Sequence, residues 1–291
     1  TAAPAPTDAP APTNAPDPTE PPKGDGGGGD AGSADTSGNY VADLGFRPDA
    51  NGLGFENYGG QGETNMTADD VRRLFGDAAC ATIEGDSCVL TPPGEQWLQQ
   101  VNGAMSGGHC EGMAVLSNLF YTGQVDPAAF GSANVPELQI AGNEPLQREI
   151  AYWWATQTTD PARSGIVAQT PSGVVNTLMT ALAAGPSGGQ QYAVGIYKRD
   201  RSGGHAITPY AVEDRGDGIY WIMVYDNNYP GAARAIEVDT NADTWRYSGS
   251  TNPAEPADEY EGDASTTTLE LAPIAERLGQ QLCPFCDQPA Q

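Results

Sequence analysis

The feature that most constrains the fold is a change of apolar period near residue 185. Before it, apolar residues recur at helical spacing: Met113, Leu116, Leu119 and Phe120 mark a helix over 110–121. Further helices are expected over 67–76, where Thr67 caps and Gly76 closes, over 92–103, which opens on Pro92-Pro93, and over 144–156 and 173–184. After it the pattern becomes that of strands, over 192–197, 206–212, 219–225 and 233–238, with a fifth over 243–247, separated by polar, Gly-rich turns. Helices first and an antiparallel meander second is an α+β plan. No internal repeat is present.

Residues 1–40 follow neither period. A Pro/Ala/Thr run leads into a Gly/Asp/Ser run, and neither can bury enough apolar surface to offset its ordering entropy. They read as a semi-stiff stalk with a flexible joint, in front of one folded domain over 41–291. The chain carries 38 acids against 13 Lys and Arg, a net charge of −25. The stalk holds six of those acids and one lysine, so most of the acidity belongs to the folded part. Such a chain repels phosphates, which excludes non-specific nucleic-acid binding. The acidic, lysine-poor composition fits a high-salt milieu and a genomic bias equally. No apolar run is long enough to span a membrane. A stalk before a domain, with no initiating Met and no signal peptide, reads as a mature exported monomer, secreted or tethered to a cell surface by a lipid-bearing cysteine upstream of Thr1.

Five cysteines divide into two close pairs and a single residue. For an exported chain the economical reading is two local disulfides, Cys80–Cys88 and Cys283–Cys286, with Cys110 free. A zinc site built from both pairs has the right ligand count, but only one pair has CxxC spacing, and export disfavours it. A redox role for Cys283-Pro-Phe-Cys286 is weak, because the pair does not open a helix after a strand.

Cys110 stands in the first turn of its expected helix, directly after Gly107-Gly108-His109. A thiol there meets the positive end of the helix dipole, which favours thiolate, and the helix-start N–H of Cys110 is free to bind an oxyanion. Only two histidines exist, so the choice of general base is narrow. His205 follows Gly203-Gly204 at the start of a strand, whereas His109 is expected to face solvent. Folding the next hairpin about residue 216 sets His205 opposite position 227, within reach of Asp226 on the neighbouring strand. Cys110 as nucleophile, His205 as base and Asp226 as orienter meet the needs of an activated thiol. A one-residue change of register makes Asn227 the orienter instead. Taken singly, each residue has a plainer reading: a core cysteine, a strand-end histidine, a turn-forming aspartate.

The phrases GGHCEGMAVLSNLFY and GGHAITPYAVEDRGDGIYWIMVYDNNYPG resemble those of secreted bacterial members of the papain-like cysteine peptidase superfamily. The resemblance covers residues 92–240 and is specific at Cys110, His205 and Asp226. It implies a papain-like fold: a helical half carrying the cysteine, followed by an antiparallel sheet carrying His and Asp. It also implies thiol attack on an amide or ester carbonyl through an acyl-enzyme, a peptide or protein substrate, and no cofactor or metal. Two departures stand out. Glu111 follows the cysteine where such enzymes usually have Trp, and no Gln lies a few residues before it, so Asn102 becomes the candidate oxyanion amide. Transglutaminase-like relatives share the plan, which leaves acyl transfer or cell-wall amide hydrolysis as alternatives. A non-catalytic surface binding module using Trp153-Trp154 is a third reading, although at helical spacing those rings suit a core.

Overall fold

Among the described residues, the helical period before residue 185 becomes six α-helices: α1 (Pro48–Asn51), α2 (Ala68–Phe75), α3 (Pro92–Ala104), α4 (Cys110–Tyr121), α5 (Glu144–Ala155) and α6 (Pro171–Ala183). The computed structural model describes residues 38–60 and 64–286, all within the compact unit Ala31–Gln291. The expected stalk falls almost wholly outside the described residues.

Strands β1 (Tyr40–Asp43), β2 (Cys80–Glu84), β3 (Ser87–Leu90) and β4 (Val167–Ala168) lie among the helices. The alternating region supplies β5 (Tyr192–Tyr197), β6 (Gly204–Gly216), β7 (Ile219–Tyr225), β8 (Ala233–Asp239) and β9 (Thr244–Gly249), then β10 (Asp258–Asp263) and β11 (Leu269–Pro273). The main sheet runs β10-β9-β8-β7-β6-β5-β11-β4, every pairing is antiparallel, and β1 adds to the far half of β6. The fold is therefore α+β, a helical part followed by an antiparallel sheet. That sheet is curled. Four strands separate β5 from β10, yet Lys198 and Arg199, just after β5, form ion pairs with Asp258, Glu261 and Asp263 of β10.

Helix α4 is enclosed on all sides, as a central helix must be: every residue from Glu111 to Phe120 is buried, the polar Ser117 and Asn118 included. It lies against β6, where the Thr208 hydroxyl donates to the Ala114 carbonyl (3.1 Å). A Cβ at Gly112 would come within 2.0 Å of the Ile150 carbonyl oxygen on α5, so only glycine permits this helix–helix approach. Gly108, at φ 134°, turns the chain into α4 through a conformation that side chains other than hydrogen resist.

Three details depart from expectation. The segment over 80–88 is a β2–β3 hairpin rather than a loop, crossed by the Cys80–Cys88 disulfide; Cys283–Cys286 is the second disulfide. All four cysteines of the zinc alternative are thereby oxidised. The two disulfides fit an oxidising compartment. Strand β6 is longer than expected and begins at Gly204, which places His205 inside the ladder opposite Ile196. Its turn to β7 centres on Asp217-Gly218, and bulges shift the register, so the ladder ends with Thr208 opposite Tyr225. The extra residues are accommodated because Asp217 and Gly218 both adopt positive φ, as a tight hairpin turn requires. Among the described residues no helix is long and apolar enough to cross a membrane.

Candidate active site

Cys110 is the first residue of α4 and the chain's free cysteine, half-buried at the helix start. The side chains of His205 and Asp226 are fully buried beside it. Asp226 leaves the end of β7 and turns back, so that its Oδ1 accepts from His205 Nε2 (2.7 Å) and from the Asn228 N–H (2.8 Å). With Nε2 committed to the carboxylate, Nδ1 is the other ring nitrogen, and it has no hydrogen-bond partner among the described residues.

The electrostatics follow from burial and pairing. Burial alone would pull the His205 pKa down. The Asp226 carboxylate and then Cys110 outweigh it and push the pKa up to about 10. Cys110 therefore lies close enough to act on the ring. Burial pushes the Asp226 carboxyl up, but His205, the Tyr247 hydroxyl and the Asn228 N–H together hold it below the usual carboxylate range. Burial, followed by the Asp226 charge, raises the Tyr247 phenol well above its ordinary value, so it stays a neutral donor.

Tyr247 comes from β9 and donates to Asp226 Oδ2; its own oxygen accepts from Arg234 Nε of β8 (2.9 Å). Arg234, Tyr247, Asp226 and His205 thus form one connected line across four neighbouring strands, ending at the thiol. The sequence analysis missed Tyr247. The only signal was its place in the alternating run Thr244–Gly249, three strands from the histidine, and nothing in that run fixes which inward phenol meets Asp226.

The other expected residues have definite places. Asn227 is buried, and its Nδ2 donates to the Cys110 carbonyl (3.1 Å) and the Ala206 carbonyl (3.0 Å). It thus joins the helix start to β6, and Asp226 rather than Asn227 holds the imidazole. The Asn102 amide is engaged at both ends with the Met66 backbone, accepting from its N–H (3.2 Å) and donating to its carbonyl (2.9 Å). His109 does not face solvent. It is 1 % exposed, stacks on Tyr58 at 4.2 Å, and its ring nitrogens contact the Tyr58 carbonyl oxygen (2.7 Å) and Asn65 Oδ1 (2.8 Å). Trp153 is buried, also contrary to a surface role.

Asn57 is a further residue that the sequence did not single out. Its Oδ1 accepts from the His109 N–H (2.8 Å), while Nδ2 is buried without a hydrogen-bond partner among the described residues. A Cβ on Gly108 would sit 3.0 Å from that Nδ2, so the amide lies against the turn leading to the thiol. Phe55-Glu-Asn57-Tyr-Gly-Gly60 looks like an ordinary turn in sequence, and only the fold brings it to α4. Glu111, beside Cys110, is paired with the guanidinium of Arg277, which also donates to Thr156 Oγ1 (2.8 Å).

Among the described residues, no group of three or more His, Cys, Asp or Glu is placed to hold a metal ion. The assembled groups can do three things chemically. A helix-start thiol can act as nucleophile, an imidazole held by a carboxylate can accept and return a proton, and free helix-start N–H groups can stabilise negative charge on oxygen. No protein-family model, curated protein or solved structure matches the chain.

Proposed function

We propose that this protein is a thiol hydrolase of papain-like type that cleaves amide bonds in a peptide or protein outside the cell. One observation carries the reading. His205 gives Nε2 to the Asp226 carboxylate at 2.7 Å, Nδ1 has no hydrogen-bond partner among the described residues, and Cys110 lies close enough to act on the ring. A buried imidazole oriented in this way is what a thiol nucleophile requires.

His205 takes the thiol proton on Nδ1, and the resulting imidazolium is held by Asp226. The Cys110 sulfur then bonds to the substrate carbonyl carbon, and the negative charge moves to oxygen. The Cys110 N–H receives that oxygen, and the unpartnered Asn57 Nδ2 supplies a side-chain amide from the neighbouring turn. As the C–N bond breaks, the Nδ1 proton passes to the leaving nitrogen, leaving a thioester on Cys110. Water then loses a proton to His205 and adds to the thioester. The C–S bond breaks, and the proton returns to sulfur as the acid product leaves. Because Cys110 is half-buried while His205 and Asp226 are enclosed, substrate meets the sulfur first and the proton path stays out of bulk water. A carboxylate as third member also suits acyl transfer, in which an amine replaces water in the second step.

Iodoacetamide labelling followed by intact mass, together with turnover of a fluorogenic peptide library, tests the reading. Cys110 should be alkylated far faster than a free peptide thiol at neutral pH. That rate and turnover should both fall about 100-fold or more in His205→Gln. Alkylation no faster than a free thiol, and unchanged in His205→Gln, would overturn it. With an added amine, only free-acid product would exclude acyl transfer.

A further inference from the structure

Glu111 occupies the first turn of α4, next to the thiol, and is buried. An acid in a first turn is favourable for the helix. For the site it is adverse, because a buried carboxylate beside a sulfur that must become negative opposes that charge and is weakly screened. The structure places a compensating charge there. Arg277, 0 % exposed, donates to Glu111 Oε1, and its guanidinium remains charged at any working pH.

Arg277 reaches this place from the far end of the chain. It ends a 3-10 turn, Ala275–Arg277, and the residues after it are fastened to the helical part. The Gln281 N–H donates to the Leu74 carbonyl (2.9 Å), and the Leu282 N–H to the Asp160 carbonyl (2.7 Å). Gln281 Oε1 accepts from Thr159 Oγ1 and from the Ala162 N–H (3.2 Å each). Phe285, inside the Cys283–Cys286 disulfide, packs edge-on against Phe75 at 5.4 Å.

Stability alone does not explain the pair. Buried ion pairs are commonly no better than apolar residues of the same volume, and Arg277 Nε remains without a hydrogen-bond partner among the described residues. A second observation links the pair to the site. Tyr197, on β5 beside the strand position of His205, is pushed up first by burial, and both Glu111 and Cys110 act on it. Glu111 and Cys110, consecutive in the first turn of α4, are thus both within electrostatic reach of one phenol.

We infer that Arg277 is a positioning residue for the Cys110 thiolate: it cancels the Glu111 carboxylate, so that the nucleophile can ionise next to a buried acid. The inference rests on the thiol-hydrolase reading.

The test is the pH profile of Cys110 alkylation in the full chain. Arg277→Met should move the midpoint upward by about one pH unit, Glu111→Gln should move it downward, and Glu111→Met/Arg277→Met should return it close to wild type. Opposite shifts that cancel are the signature of charge, and a purely structural role would not produce them. Coincident profiles, or shifts of the same sign, overturn the inference. If Arg277→Met does not fold, Glu111→Gln and the double variant decide: a downward shift that the double variant abolishes supports the inference, and an unshifted Glu111→Gln profile overturns it. Failure of the parent reading looks different, since wild-type Cys110 would then show no enhanced alkylation at all.

Discussion

Two buried carboxylates flank Cys110, and they are built differently. Asp226, on the sheet side, is paired with a partner that titrates, is braced by the Tyr247 hydroxyl, and leaves one imidazole nitrogen uncommitted. Glu111, on the helix side, is paired with a guanidinium that does not titrate. The two buried pairs thus differ in what they can do. The sheet pair can hold and release a proton, whereas the helix pair can only fix a charge. Burial by itself does not mark a functional ion pair; what marks it is a partner that can change protonation state and still has a free donor or acceptor.

The contrast can be broken by substitution. The largest effect is expected from His205→Gln, which should lower turnover by about 100-fold to 10,000-fold. Turnover retained in this variant would detach the sheet pair from the chemistry. Arg277→Met should act mainly on stability, costing about 3–5 kcal/mol in urea unfolding, because it strands a buried carboxylate, and the double apolar variant should recover most of that loss. Tyr247→Phe removes one hydrogen bond to a charged acceptor. It should cost about 1.5–3 kcal/mol and move the acid limb of the activity profile to higher pH, since Asp226 loses a group that holds its pKa down. An unmoved acid limb would detach Tyr247 from the site.

A further prediction couples pH to stability. His205 titrates at about 10 in the fold against 6.5 for the free side chain, so its protonation favours the native state. That contribution is complete below pH 6.5 and is lost as pH rises through about 10. Across this window the wild-type urea midpoint should fall relative to that of His205→Gln, and parallel curves would contradict the pairing.

Much of the architecture was legible in the chain. The helix over Cys110–Tyr121 was readable because its apolar residues recur at helical spacing, and β5, β7 and β8 because apolar runs are bounded by Gly-rich turns. The short strands β1, β4 and β11 were not, since they pair only with distant segments, nor was β10, which pairs with the preceding β9 but is largely acidic. In the site, the order Cys110, His205, Asp226 was readable because each residue sits at the end of an element whose type the pattern reveals. The hairpin register was off by about a residue, because the bulges in β6 leave no mark in the apolar pattern. Asn102 looked suitable from its place before the thiol, but its amide is engaged with Met66.

The sequence by itself determined the α+β order, the free thiol at a helix start and the scarcity of histidine that narrows the candidate base to His205, because periodicity, capping and composition are local properties of a chain. The tertiary structure decided what surrounds those groups. It brought Tyr247 to Asp226, Asn57 to the turn before the thiol and Arg277 to Glu111, from residues far apart in sequence. Such meetings depend on which faces are buried against each other and how the sheet curls, and no local pattern encodes them.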